Sequence, residues 1–338
     1  MVRAGGKGVY LDEFLSGEFV AVGWEDVGDL TNATTRDAIK AQVTEALPHL
    51  KPLQLVSPVG CLHKIRNRID VGDPVITYDP SARMYHLGEI AGAYQHVSDG
   101  NPDLVARRAV NWTDQIHRDS LTDKAKYSLG SLLAIFEIPE PTWDEIQALR
   151  SSGNSKAATP AQSEVGPAGS EDDDELLAQD PVEDAIERAH ESRKDAINRL
   201  APDEMEEFVA GVMRGMGYRA RVSPTGPDRG CDIEASPDGL GLEEPRIRIE
   251  VKHRSGPLGA PILRSFLAAL RPGDKGLFVS TGGVTREAKY EAERSQVPVT
   301  LVDLDRLAEL YIEFYEELRP EDRALVPLTR VYWPKQSS

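Results

Sequence analysis

Asp232, Glu250 and Lys252 are the residues of this chain whose types and spacing could do chemistry: two carboxylates and an amine brought by two short segments. From Arg246 to His253 polar and apolar residues alternate with a period of two, the pattern of a strand with one face buried. Side chains two apart share a face. Glu250 and Lys252 therefore project together, about 6–7 Å apart at the backbone, while Ile247, Ile249 and Val251 turn into a core. Asp232, arriving on the preceding strand, completes a hard-oxygen site with an ammonium beside it, a setting that suits Mg2+. Each residue alone has a plainer reading: Asp232 as a turn residue, Glu250 with Lys252 as an ion pair on an exposed strand.

Positioning these groups requires a particular order of elements. Residues 203–218 carry apolar side chains at 205, 208, 209, 212, 213 and 216, which predicts an amphipathic helix that starts at Pro202 and stops at Gly217. Strands are expected at 218–222, 231–235 and around 250, with turns at 223–229 and at Pro237-Asp238-Gly239. Helices at about 260–270, 284–295 and 304–318 then alternate with strands at 276–280 and 297–302. Such an order makes a mixed sheet flanked by helices.

Residues 200–318 resemble the Mrr-type catalytic domain of the PD-(D/E)xK nuclease superfamily. Met205-Glu206 takes the Phe-Glu place of that family's first helix, and Gly217-Tyr218 its end. Gly230-Cys231-Asp232 takes the Asp motif, Glu250-Val251-Lys252 the last motif, and Phe278 to Gly282 with Ala288 the downstream segment. Met replaces an aromatic at 205, and Glu250 stands where many relatives carry Gln. The resemblance implies a metal-dependent phosphodiesterase holding one or two Mg2+ on Asp232, Glu250 and the Val251 carbonyl, with Lys252 and Glu206 as further catalytic groups. Either Glu206 or Glu207 could face the site, being about 100 degrees apart on the helix; the resemblance selects Glu206. Arg229, Arg254, Arg264 and Lys275 are candidate phosphate contacts, and Cys231 and His253 read as packing or surface residues.

Composition bounds the rest. The 338 residues are enough for two ordinary domains, and the two cysteines, Cys61 and Cys231, fit a reducing compartment. With neither a signal-peptide pattern nor a span-length apolar run, a cytoplasmic protein off the membrane is expected. A net charge of -17 opposes nonspecific DNA binding. Much of it sits between domains, since residues 151–200 hold 12 acids against 5 bases, a net of -7. That stretch contains a Ser/Gly/Ala/Pro-rich run and the acidic run 171–175, a composition that cannot bury enough apolar surface to fold. A helix at 181–200 leads out of it.

In the N-terminal 140 residues a strand at 18–24, a helix at 34–47 and further strands at 72–78, 85–94 and 106–112 suggest a small curled sheet or barrel. The strand ending in Gly23-Trp24, the Gly72-Asp73 before a strand ending in Tyr78, the Gly88-Glu89-Ile90 strand and the late Val110-Asn111-Trp112 are similar to PUA-related domains of the EVE type. That likeness implies a reader that flips a modified base into an aromatic pocket, an extrusion costing a few kcal/mol that stacking and edge contacts must offset. Trp24, Tyr78, Tyr94 and Trp112 are then candidate walls, with Asp29, Asn32 and Ser57 as edge contacts. Lys64, Arg66 and Arg68 would lie on one face if their segment is extended, as candidate phosphate contacts.

The fold class expected is therefore α/β plus α+β: a C-terminal PD-(D/E)xK restriction-endonuclease-like mixed sheet with flanking helices, and an N-terminal PUA/EVE-like β-barrel. The expected domains are a reader at 1–145, a flexible acidic linker at 146–180, a catalytic domain at 181–320 and a tail at 321–338. The expected function is an Mg2+-dependent restriction-type endonuclease acting on double-stranded DNA, with modified foreign DNA as target because the chain has no methyltransferase motif with which to mark its host. A homodimer is expected, since two cuts in a duplex need two sites. The alternatives are a nuclease specific for DNA structure or damage, and a regulator that binds nucleic acid without cutting.

Overall fold

The structure is a computed structural model that describes residues 1–98, 100–131, 133–152, 181–223, 231–253 and 256–333. The chain divides into two compact units, Met1–Ala185 and Ile186–Ser338.

In the first unit helix α1 (Leu11–Ser16) precedes strand β1 (Phe19–Val22), followed by α2 (Arg36–Ala46) and α3 (Val56–His63). Strands β2 (Pro74–Asp79), β3 (Met84–Ile90), β4 (Gln95–His96) and β5 (Ala106–His117) come next, then α4 (Asp123–Ser128) and α5 (Glu140–Ser151). The sheet is antiparallel with order β1-β5-β3-β2, and β4 also pairs with β5. No pairing of β2 with β1 closes it among the described residues, so the expected barrel is a half-barrel.

Period-two alternation sends neighbouring side chains into different cores. Val75 joins a core with Val20, Ile39, Val43, Leu62 and Ile90, whereas Ile76 joins Tyr85, Leu87, Ile116, Ile146 and Leu149. A bulge between Leu87 and Gly88 bends β3, and Gly88 is needed there: a Cβ would lie 2.7 Å from Val110 Cγ1 and 2.8 Å from the Asn111 carbonyl. Helix α5 runs on to Ser151 with Ile146 and Leu149 fully buried, so the first unit extends past the boundary expected at 145. The rest of the expected linker, residues 153–180, lies outside the described residues, together with the acidic run.

Helix α6 (Pro181–Asn198) leads into the second unit. Helix α7 (Pro202–Gly215) precedes β6 (Arg219–Val222), β7 (Ile233–Ser236) and β8 (Arg246–Lys252), and α8 (Ala260–Ala269), β9 (Asp274–Ser280), α9 (Arg286–Glu293), β10 (Val299–Asp303), α10 (Leu304–Glu313) and α11 (Pro320–Leu325) follow. The sheet order is β10-β9-β8-β7-β6, antiparallel from β6 to β8 and parallel from β8 to β10. One face packs Ile233, Ile249, Val251, Val279 and Val302 against α7 and α10; Phe278 on the other meets Leu263, Phe266 and Ala288.

Local chemistry sets the ends of α7. Glu204 Oε2 accepts the Ala201 N–H at 2.8 Å ahead of Pro202. At the other end Gly217 takes φ 94°, and the Tyr218 N–H reaches back to the Met213 carbonyl at 3.0 Å, as in a glycine-terminated helix.

Residues 321–328, expected to begin a tail, are packed down. Val326 is buried and accepts the Tyr311 hydroxyl at 2.7 Å, and Asp322, 3% exposed, binds Arg214 at 2.6 Å and Arg319 at 2.9 Å.

Candidate active site

The two motif segments meet where β7 ends short of β8. The last antiparallel partners are Ile233 and Ile249, and Asp232 extends the ladder by one bond, its N–H donating to the Ile249 carbonyl at 2.8 Å. Its side chain then carries the pairing further, with Oδ2 accepting the Val251 N–H at 2.7 Å. Successive carbonyls of a strand point to opposite edges. The Lys252 carbonyl is engaged from the β9 side by the Thr281 N–H at 3.1 Å, so the Val251 carbonyl faces the other edge, beside Asp232 and beyond the end of β7. The Asp232 carboxylate and a backbone oxygen thus share one edge at an open strand end.

Glu250 and Lys252 share a face of β8 as their spacing requires and form an ion pair. Val251, between them, is buried in the core with α7. Glu206 on α7 completes the cluster. Burial raises its carboxyl above the ordinary range, Asp232, Asp203 and Glu250 raise it further, and Lys252 opposes them. Glu207 turns away, exposed, to Arg214 at 3.4 Å. The structure therefore brings together Glu206, Asp232, Glu250 and Lys252, three acids against one base.

Two carboxylates and a carbonyl are the oxygen donors a hard cation takes, and three carboxylates gathered around one lysine leave a negative charge that a cation would relieve. The donor set fits Mg2+ as two acids plus backbone; among the described residues no group of three or more His, Cys, Asp or Glu side chains is arranged to hold a metal without it.

His253 is more than a surface residue. Its Nε2 lies 2.8 Å from the Leu200 carbonyl, which can only accept, and its Nδ1 lies 3.1 Å from Thr281 Oγ1. The imidazole ties the end of β8 to the start of α7 and to the turn after β9, and nothing in its sequence neighbourhood announced this. Cys231 is buried, its Sγ 3.0 Å from the Ile233 carbonyl, and burial pushes its thiol up. Of the basic residues named as phosphate contacts, Arg264 is paired with Glu291 at 2.7 Å and Lys275 is exposed, while Arg229 and Arg254, like Gly230, fall outside the described residues.

In the first unit Lys64 to Arg68 is not extended. It is a π turn, with the Ile69 N–H reaching the Lys64 carbonyl at 3.1 Å, five residues back. The three cations therefore do not share a face. Arg66 is absorbed by the fold: its Nε donates to the Leu30 carbonyl at 3.0 Å, Nη2 to the Thr31 carbonyl, and its guanidinium sits 5.5 Å from the Tyr94 ring. Lys64, whose Nζ donates to the Ile135 carbonyl at 3.1 Å, and Arg68 border a cleft of about 830 Å3 with the acids Asp70, Asp73, Glu137 and Glu140 and the rings of Phe136 and Trp143.

None of the four aromatics expected as pocket walls lines that cleft. Trp24, Tyr94 and Trp112 pack on the first core. The Trp112 indole donates to the Phe14 carbonyl at 3.0 Å, and the Tyr94 hydroxyl accepts the Leu30 N–H at 3.2 Å. Tyr78 packs on the second core against Tyr85, ring centres 4.6 Å apart. Asp29 is a turn residue whose carboxyl the Thr31 hydroxyl and N–H hold below its ordinary range; Asn32 is exposed and Ser57 half-buried.

A mixed sheet with an acid, an acid and a lysine at the open end of its central strands is the arrangement of a restriction-endonuclease fold. Residues 197–311, the larger part of the second unit, match a family profile described as restriction endonuclease, of the Mrr catalytic-domain type. Residues 3–135 match a family described only as a domain of unknown function. A search of curated proteins returns no match. Among solved structures the chain is similar to the MspJI restriction endonuclease in complex with a 27-mer oligonucleotide, at 14% identity over 91% of this chain and 74% of that one, with a TM-score of 0.28. It is also similar to the DNA modification-dependent restriction endonuclease AspBHI, at 15% identity over 90% and 77%, with a TM-score of 0.30. Both superpositions are loose. Among the described residues no helix is long and apolar enough to cross a membrane.

Proposed function

We propose that the chain is an Mg2+-dependent endonuclease that cuts double-stranded DNA carrying modified bases, with the second unit as blade and the first as reader. The observation that carries the reading is the convergence of Glu206, Asp232, Glu250 and Lys252 beside the Val251 carbonyl, in a domain of the restriction-endonuclease family.

Asp232, Glu250 and the Val251 carbonyl would hold the cation. When bound, it supplies Lewis-acid charge to the phosphoryl oxygens and makes a water more acidic. Lys252, oriented by Glu250, hydrogen-bonds the attacking oxygen or a non-bridging phosphoryl oxygen and offsets the charge that grows on the pentacovalent centre. Glu206, with its carboxyl raised, is suited to orient the attacking water and accept its proton. Two such chains acting as a homodimer would cut both strands, and destruction of foreign phage DNA in the cytoplasm is the biological role that follows.

The reader assignment is supported by the half-barrel having cores and a cleft of its own, and by the EVE-type likeness of its strand motifs. The test is cleavage of phage DNA carrying modified cytosines against the same sequence unmodified, with Mg2+, by the wild type and by Lys252→Ala. Cutting of modified DNA alone, abolished in the variant, is expected. Equal cutting of both substrates removes the reader and leaves a nuclease that answers to structure or damage. Binding without cutting makes the chain a regulator on a nuclease fold.

A further inference from the structure

We propose that the backbone of the cut DNA strand lies on the bare face of β6, β7 and β8, with Arg221 and Arg219 on successive phosphates beyond the scissile one, an inference that rests on the nuclease reading above. Alternation divides the side chains of these strands. Ala220, Ile233 and Ile249 turn to α7, so Arg219, Arg221, Glu234, Arg246 and Arg248 turn the other way, with the Glu250–Lys252 pair. Among the described residues the apolar cluster on that side, under α8 and α9, draws on β9 and β10 and on none of these three strands. Charge on the bare face is unevenly spread. Arg248 pairs with Glu234, and the buried Asp274 lies 3.6 Å from Arg248 and 3.7 Å from Arg246. Arg219 and Arg221 are exposed, and among the described residues neither forms an ion pair. The unneutralised charge thus sits on β6, at the edge of the sheet. The hairpin acids Glu243 and Glu244 lie at the end of β7 and β8 away from Asp232.

Register fixes where these two charges fall relative to the site. Arg221 stands opposite Glu234, and the Ser223 N–H donates to the Asp232 carbonyl at 2.7 Å, so Arg221 is one strand across and two residues along from Asp232. At the backbone that is about 5 Å and about 7 Å, which lets an arginine side chain reach a phosphate beside the one at the site. Arg219 lies about 7 Å further along the same face, a step comparable to that between successive phosphates of one strand. Its stem is backed by Gly239, where a Cβ would lie 2.9 Å from Arg219 Cβ. A guanidinium fork takes phosphate oxygens in paired hydrogen bonds. A chain of formal charge -17 must hold a polyanion through local charge of this kind.

The experiment follows binding of plain and modified duplex to the full chain without metal, between about 50 and about 200 mM salt. Arg219→Ala and Arg221→Ala are each expected to flatten the slope of log K against log salt by about 0.9, and the double variant by about 1.8, on both duplexes alike. Their melting temperatures should match the wild type, because both side chains are exposed. Arg221→Lys, which keeps the charge, should keep the wild-type slope. Ethylation of single phosphates is expected to hinder wild-type binding at two neighbouring positions beside the cut, and to lose its effect there in the double variant. A wild-type slope or an unchanged ethylation pattern in the double variant, with wild-type cutting in Mg2+ intact, overturns the face and leaves the nuclease reading standing. A wild type that neither binds nor cuts either duplex overturns both.

Discussion

The Asp232 carboxylate accepts the N–H of Val251 at 2.7 Å, so one motif's acid is clamped to the backbone of the other motif. The bond does two jobs. It continues the β7–β8 pairing past the last ladder residue, and it sets an acidic side chain beside the strand edge that the Val251 carbonyl faces. Charge and geometry at Asp232 can therefore be separated by substitution.

Asp232→Asn keeps an acceptor for the Val251 N–H but removes the charge, whereas Asp232→Ala removes both. Cleavage is expected to fall by about a hundred- to a thousandfold in each, since removing one electrostatic stabiliser costs about 2.7–4 kcal/mol. Only the alanine variant should lose the hydrogen bond altogether, about 0.5–1.5 kcal/mol beyond the asparagine variant, seen as a melting temperature about 1–6 °C lower than that variant's. Equal melting of the two variants would show that the clamp contributes nothing.

Glu206 makes the metal-free chain pH-sensitive. Its carboxyl is raised in the folded state, so the folded chain binds more protons than the unfolded one between the two pKa values, and its contribution to stability falls as pH rises through that window. Glu206→Gln should therefore melt about 1–2 °C higher than wild type at pH 8 without metal. The gain should shrink below about pH 4, where the unfolded carboxyl is also protonated. Adding Mg2+ should stabilise the wild type more than the variant, and the variant should cut poorly at every pH.

Lys252→Met keeps the aliphatic stem and removes the ammonium. Binding of duplex DNA without metal is expected to change less than threefold while cleavage is lost, because the ammonium acts on the reacting phosphate. A parallel loss of binding would make Lys252 an anchor for the DNA backbone.

Asp322 tests the packed C-terminal segment. Burial pushes its carboxyl up, but hydrogen bonds from Arg214 and Arg319 outweigh this and leave it below its ordinary range. Asp322→Ala leaves Arg214 with only Glu207 at 3.4 Å and the Ala220 carbonyl at 3.3 Å, a loss short of the about 3–5 kcal/mol for a buried charge left wholly unpaired, read in urea denaturation of the full chain. Truncation after residue 319 should cost at least as much; a truncated chain that unfolds at the wild-type urea midpoint would return these residues to the status of a tail. The carboxyl's contribution is present above its unfolded pKa and lost as pH falls through its lowered folded one.

Much of this protein was legible in its residues alone. The alternation from Arg246 to Lys252 placed Glu250 beside Lys252, and the helical spacing from Met205 to Met213 set the buried face of α7. Periodicity decides which face a side chain takes because backbone geometry is local. The four aromatics of the first unit show the limit of that logic: the ring types were visible, but whether an indole N–H meets solvent, a ligand or the Phe14 carbonyl 98 positions away is decided by chain that is remote in sequence.

The sequence by itself determined the order of helices and strands in the second unit, its restriction-endonuclease character and the acids and lysine that are its candidate site. Only the tertiary structure decided that Glu206 and not Glu207 turns toward Asp232, that Arg66 is absorbed by the fold while Arg68 borders a cleft, and that the chain after residue 319 is bound to α7 through Arg214 and Asp322, 108 positions apart. Each of those outcomes depends on the burial of a charge and on which distant partner reaches it, and neither quantity exists until the chain has packed.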